Sequence, residues 1–533
     1  MEKVWKDFEI TPLSVIKDSH KLLDFQQYSV YCALNKKSYL LGLPTGGGKT
    51  FTSLATYFYY KEKYPNTKLI IVTNKSAIFQ FDSEISKFFN YEKCRTVIHS
   101  EMTGNYKKAR ENAYSEFENN SEILILNYQN LKSDIDKIIV SVSDFKQKSP
   151  DNKVFIIYDE ATAFKNTGTL TYKTVLKLNL LVDKFIALTA TLTKGKLEEA
   201  YGIFKGIGIS ITKSKAQFIR EFCVTKKIPR LHIEQIIGYK NISKFKEIID
   251  PHCIILNKTD ISDSLPSFTT NIVYCTLDSA QKEMLKLIKS GYFIKDDVEQ
   301  DNAMLLKMME FGFNRRCLID PNIVYSEDEK IPNYKSPKTI EILDLLNDSY
   351  SNEKIVIYSH SKKYIDILEK TISSEVENSS YKKVLKITGD ITAQDREKSK
   401  QLFTESEKHN IILINTAGLE SINLQISGTL IVCDIPTSAG NLIQLLGRIS
   451  RIGSKHKQLS VNYLLMKDQQ DESEYFIINK QLYLLNNIIG ESEKNIIDFE
   501  YLKQDKAFSG MSDEELSTMS IDQILYNRDR KKS

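Results

Sequence analysis

Leu43-Pro44-Thr45-Gly46-Gly47-Gly48-Lys49-Thr50 decides the fold of this chain. The apolar run Tyr39–Leu43 before it reads as a strand, and Thr50–Tyr60 after it reads as a helix. A Gly-rich loop between a buried strand and a helix N-terminus is built to hold phosphate. Glycine lets backbone N–H groups approach the oxygens where a side chain would block them. The helix end adds partial positive charge. Lys49 would reach the β- and γ-phosphates, and the Thr50 hydroxyl would ligate Mg²⁺. Thr45, Gly46, Gly47 and Gly48 would form the cradle. Leu43 stands where the general pattern has its first Gly. The bland alternative, a Gly-rich turn with a chance Lys-Thr, does not explain the strand and helix on either side.

Downstream, Lys68–Thr73, Ile123–Asn127, Val154–Asp159 and Lys184–Thr189 are short, apolar or β-branched, and followed by polar turns. They predict a parallel sheet covered by helices. Val154–Asp159 runs into Asp159-Glu160. An Asp-Glu pair after a strand is commonly just a solvated strand end. With a phosphate loop upstream and room for β-α units between, it becomes a hydrolysis site. Asp159 would hold Mg²⁺, and Glu160 would orient and polarise the attacking water. Thr189 and Thr191, in Leu188-Thr189-Ala190-Thr191, would link the acidic pair to lobe movement.

The same alternation returns at Lys354–Ser359, Lys383–Thr388, Asn410–Asn415, Thr429–Cys433 and Ser460–Leu465, with helical patterns at Lys362–Ile372 and Ala393–Phe403. The expected fold class is therefore α/β, with two parallel-sheet lobes and a helical insertion between them. The expected division is a leader at 1–20, an ATP-binding lobe at 21–211, a linking region at 212–335, a second lobe at 336–490 and a polar tail at 491–533. Within the linking region, Ala280–Gly291 and Asn302–Cys317 read as helices. The tail reads as a brace on one lobe or as a protein-binding helix, and Ser512 with Glu515 has capping-box spacing.

In the second lobe, Arg448 and Arg451 stand three apart in Gln444-Leu445-Leu446-Gly447-Arg448-Ile449-Ser450-Arg451. That spacing predicts one face of a helix. A positioned guanidinium stabilises charge on a transferring phosphoryl group. Gly418 and Asn423, in the turn Asn415–Leu424, and Gln444 are candidate coupling residues between nucleotide and nucleic acid.

Composition bounds the rest. The 533 residues are 41% hydrophobic and 27% charged, which suits a globular chain with real cores. The net charge of +4 is too small to mark a strong polyanion binder by itself, so local clusters such as Arg448–Lys457 must carry any DNA contact. Seven scattered Cys with no C-x-x-C pair argue against zinc and against a disulfide framework, and imply a reducing, intracellular setting. No signal-peptide core or membrane span is evident.

These motifs together resemble superfamily 2 helicases, and more narrowly the Swi/Snf-type branch, over about Leu22 to Ile489. Leu22–Val30 looks like the family's adenine-reading segment, with Gln26 at the Gln position. Leu69–Phe89 is similar to motif Ia, and Tyr128 sits where Tyr is common. Asp159–Asn166, DEATAFKN, carries the Lys165-Asn166 extension characteristic of the branch. Ile254–Pro266, Val273–Leu285, Cys317–Pro321, Ile387–Phe403 and Arg448–Lys455 follow in the family's order. The sequence departs at Phe81 (Trp is usual), Ala190 and Leu192 (Gly and Pro), Asp434–Leu442 (no Trp-Asn-Pro) and Ser454 (Gln). Its compact form resembles viral and phage members. The resemblance implies that the two parallel-sheet lobes are RecA-like, with ATP and Mg²⁺ as ligands, and that the chain is an ATPase that moves along duplex DNA. A strand-separating helicase and a nucleotide-gated nucleic-acid binding module are the alternatives.

Overall fold

The structure is a computed structural model. It describes residues 5–6, 8–98, 106–190, 192, 196–228, 233–256, 260–261, 265–293, 303–349, 353–375, 384–406, 410–416, 424–451 and 454–489. Two compact units divide the chain, one formed mainly by residues 1–263 and the other mainly by 264–483.

The first unit is built on a seven-stranded sheet. Its strands are β1 (Ser38–Gly42), β2 (Thr67–Thr73), β3 (Arg95–Val97), β4 (Ile123–Asn127), β5 (Lys153–Tyr158), β6 (Lys184–Thr189) and β9 (Cys253–Ile255). They run in the order β3-β4-β2-β5-β6-β1-β9, with every pairing parallel. All of β4 and β6 is buried. That explains why these strands read as unbroken apolar runs rather than as alternation, for helices cover both faces of a parallel sheet. Two further strands, β7 (Cys223–Ile228) and β8 (Ile233–Tyr239), form a separate antiparallel ribbon.

The second unit holds β10 (Ser267–Cys275), β11 (Ile355–Tyr358), β12 (Val384–Ile387), β13 (Ile411–Ile414), β14 (Thr429–Val432) and β15 (Gln458–Met466). Their order is β10-β15-β14-β11-β13-β12, again all parallel. Ile342, Ile357, Tyr364, Leu368, Leu413 and Ile431 belong to its core. So the chain contains two parallel-sheet domains. The linking region expected at 212–335 is shared between them: β7, β8 and β9 go with the first unit, and β10 with the helices Ser279–Lys289 and Ala303–Ile319 goes with the second. The strands there are additions to the helices the sequence predicts. The tail at 491–533 lies outside the described residues.

Candidate nucleotide site

Parallel α/β sheets place ligands at the carboxyl ends of their strands. In the first unit that edge gathers predicted residues together with Thr73, which the motifs did not single out. The phosphate loop leaves β1, Thr73 ends β2, Asp159 and Glu160 follow β5, and Thr189 ends β6. Parallel register sets Gly42 opposite Thr189, and Tyr158 opposite Ala187.

The loop adopts the backbone that its glycines permit. Gly46 and Gly48 have φ of 81° and 78°, and Gly48 is the N-cap of the helix Lys49–Lys63. A Cβ on Gly48 would also lie 2.3 Å from Gln26 Nε2. That amide donates to Gly47 O at 3.0 Å, while Gln26 Oε1 accepts from Leu23 N at 3.0 Å. Gln26 thus ties the start of the helix Asp24–Leu34 to the phosphate loop. The Lys49 ammonium donates to Leu43 O at 3.0 Å and Pro44 O at 3.2 Å, so it lies within the loop. Thr45 Oγ1 is buried with no hydrogen-bond partner among the described residues. A buried hydroxyl normally finds a partner. An orphan beside a lysine and several backbone amides fits a ligand rich in phosphate oxygens.

The acidic pair is held from several sides. Asp159 Oδ2 accepts from Thr73 Oγ1 at 2.7 Å, and Asp159 N donates to Val72 O at 2.8 Å. The Tyr128 hydroxyl donates to Asp159 O at 2.6 Å. Burial, then the nearby charge of Asp159, pushes the Tyr128 phenol well above its ordinary pKa, so it stays a donor. Glu160 has φ of 50° and ψ of 66°, a left-handed conformation that few non-glycine residues adopt. The turn Ala161–Phe164 follows, with Ala163 N donating to Glu160 O at 2.9 Å. Such strain persists only where surroundings enforce it, and it concentrates at functional sites.

Several enforcing residues escape a motif reading. Lys165 pairs with Glu199 at 2.6 Å, on the helix Glu198–Gly206. Gly202 on that helix lets its backbone lie against the Lys165 carbonyl, because a Cβ there would come 1.7 Å from Lys165 O. The branch-typical Lys165 is therefore part of the scaffold under Glu160. Lys184 is 2% exposed on β6 and donates to Ala33 O at 2.6 Å, Leu34 O at 3.1 Å and Lys36 O. It caps the C-terminus of the helix that carries Gln26. Burial pushes its pKa down to about 8. Thr191 lies outside the described residues.

The second unit brings another set of strand ends together. Asp434, just past β14, is 3% exposed; it accepts from His360 N at 2.7 Å and Ser359 Oγ at 3.3 Å. Thr416 Oγ1 lies 3.0 Å from both the Tyr358 hydroxyl and His360 Nδ1. Gln444 and Arg448 lie on the helix Ala439–Ile449, whose apolar face is buried. The expectation of one helical face for both arginines is corrected here. The helix ends at Ile449, and Ser450 is extended at φ −96° and ψ 104°. Arg451 therefore lies beyond the helix, and its Nε reaches back to Gly447 O at 3.3 Å. A C-terminal carbonyl lacks an intrahelical partner, and the guanidinium supplies one. Gly418 and Asn423 lie outside the described residues.

This fold and this strand edge define a P-loop nucleotide-binding protein of helicase type. A family model for the SNF2-related domain matches residues 26–323, and one for the helicase conserved C-terminal domain matches residues 337–453. The chain belongs to the SNF2-related family of helicase-like ATPases. It is similar to the chromodomain-helicase-DNA-binding protein 3 homolog of Caenorhabditis elegans, at 23% identity over 91% of this chain and 28% of that protein. It is also similar to nucleoside triphosphatase I of Choristoneura biennis entomopoxvirus, at 23% identity over 84% of this chain and 73% of the relative. The chain thus spans under a third of the first relative and most of the second. Among solved structures, the Pyrococcus furiosus Hef helicase domain shares the fold, with a TM-score of 0.51 and 14% identity over 85% of this chain and 97% of that one.

Proposed function

We propose that this chain couples ATP hydrolysis to movement along duplex DNA without separating its strands. The observation that carries the proposal is a group of residues suited to phosphate, metal and water on one strand edge of an SNF2-related chain: the Lys49 loop, Asp159 tied to Thr73, and Glu160 held left-handed. The printed name of the Caenorhabditis elegans relative supports a DNA track, and so does the Lys165-Asn166 extension.

Bound MgATP supplies the phosphoanhydride bond to be cleaved. Thr50 and Asp159 would hold the metal, and Lys49 would neutralise phosphate charge. The Thr45 hydroxyl gains the partner it lacks. Glu160 orients a water and takes up its proton as the oxygen attacks. Arg448 and Arg451 are the guanidinium groups proposed to stabilise the phosphoryl charge, with Thr189, Thr191, Gly418, Asn423 and Gln444 in coupling roles. The work belongs to a cell interior, where the seven free cysteines stay reduced.

The test measures ATP turnover with duplex DNA, single-stranded DNA and RNA, together with displacement of a triplex-forming strand. Duplex should stimulate most, with little sequence dependence and with weakening as salt rises. Lys49→Ala should abolish displacement, and Glu160→Gln should bind ATP but turn over slowly. Equal stimulation by single strands together with strand separation would promote the helicase reading.

A further inference from the structure

The ribbon β7–β8 belongs to neither large sheet and has no part in the nucleotide site. An isolated two-stranded ribbon is marginal in water, so something must anchor it. Phe218 and Phe222, on the helix Lys215–Phe222, and Phe245, on the helix Ile242–Ile249, are fully buried around it. Their rings pack mutually at 5.0–6.1 Å, and Phe218 meets Tyr201 at 5.7 Å. The ribbon's last residue, Tyr239, donates to Glu198 Oε2 at 3.2 Å and accepts from Leu197 N at 3.1 Å. A small aromatic core therefore fixes the ribbon to the first unit.

Its charge sets it apart. Residues 212–249, the ribbon with its flanking helices, contain nine Lys or Arg and three Glu, a net charge of +6, whereas the whole chain carries +4. The other residues are thus net acidic. Lys213, Lys215, Arg220 and Lys240 are exposed. On β7, Lys226 and Lys227 stand opposite Gln235 and Glu234. Among the described residues, Glu221 is engaged by Lys244 at 2.5 Å. The two strands themselves hold only Lys226, Lys227 and Glu234 as charged residues, so most of the excess sits on the flanking segments, where like charges repel one another. The excess creates a local field for a polyanion.

We propose that this basic ribbon and its flanking helices form a second nucleic-acid interface on the first unit, binding the phosphate backbone of the duplex on which the motor acts. The assignment rests on the duplex-DNA reading above and adds an accessory contact to it. Recognition there is sequence-independent, because lysines grip phosphates as point charges.

The experiment titrates a fluorescein-labelled random-sequence duplex against the full chain over a range of salt. The wild type is compared with the triple variant Lys226→Glu, Lys227→Glu, Lys240→Glu and with the same three positions changed to Arg. The Glu variant should bind at least about tenfold more weakly at low salt. Its slope of log affinity against log salt should be shallower by about 2–3, since each lost phosphate contact removes about 0.9. The Arg variant should restore both. Thermal unfolding by circular dichroism checks that all three proteins are folded. Unchanged affinity and slope in a folded Glu variant would overturn the ribbon's role and leave the motor reading intact. A wild type that neither binds duplex nor is stimulated by it would overturn the motor reading itself.

Discussion

Gly202→Ala tests whether the geometry of Glu160 is enforced from beneath. The added methyl would lie 1.7 Å from Lys165 O and 2.5 Å from its carbonyl carbon, both backbone atoms that cannot swing aside. A carbon–oxygen contact needs about 3.3 Å, so the helix Glu198–Gly206 must recede by about 1.6 Å. One turn away the same helix carries Glu199, the partner of Lys165, and at its end Gly206 closes on the Phe164 ring. Both contacts loosen together, and the turn after Glu160 shifts with them. Overpacking of this kind costs about 1–3 kcal/mol, although Ala is the better helix former by about 1 kcal/mol. A displacement near 1 Å at a reacting group costs about a hundredfold in rate. The variant should therefore lose about ten- to a hundredfold in kcat. Its nucleotide affinity, set by the Lys49 loop on another strand, should change little. Steady-state turnover, equilibrium nucleotide titration and a thermal melt read the three quantities. A folded Gly202→Ala protein with kcat within about twofold of wild type would refute the argument.

Two stability predictions concern the second unit. Lys338 and Asp471 form a buried ion pair at 2.7 Å; Lys338 also donates to Cys433 O and Asp471 also accepts from Met466 N, so Lys338→Met should cost about 3–5 kcal/mol by stranding the carboxylate. Hydrogen exchange should show early opening of β14 and β15 while β1 and β5 stay protected; uniform protection would count against it. Asp320 is fully buried, and burial pushes its pKa up to about 7 from an ordinary 3.8. Between those values the folded protein holds a proton that the unfolded chain releases. Stability from this group is therefore present at low pH and lost as pH rises toward 7. Asp320→Asn, which keeps the acceptor for Asn322 N, should flatten that decline and melt higher than wild type at pH 8. Parallel pH dependences for the two proteins would sink the idea.

The sheets were legible because buried parallel strands leave unbroken apolar runs, and Ile123–Asn127 and Lys184–Thr189 were bounded to the residue. Edge strands left weaker traces. β9 has only three residues, and β10 alternates exposed and partly buried positions among Thr and Asn. The phosphate loop and the acidic pair announce themselves because backbone geometry and metal chemistry restrict those positions to few residue types. Gly202, Glu199, Thr73 and Lys184 do not, because each matters through a contact with a residue far away in the chain. The basic ribbon was visible in principle as charge density, but averaging over the chain conceals it. The end of the arginine helix turns on one extended serine, and no spacing rule predicts that.

The left-handed backbone at Glu160 sets two demands on one position in opposition. Folding alone would favour glycine there, since glycine carries no penalty at φ of 50°. The proposed activation of water requires a carboxylate. Random change under selection for thermostability alone would therefore tend to erase the residue proposed to activate water, and a variant library sorted only by melting temperature should enrich Glu160→Gly among its folded members, which the proposal expects to be inactive.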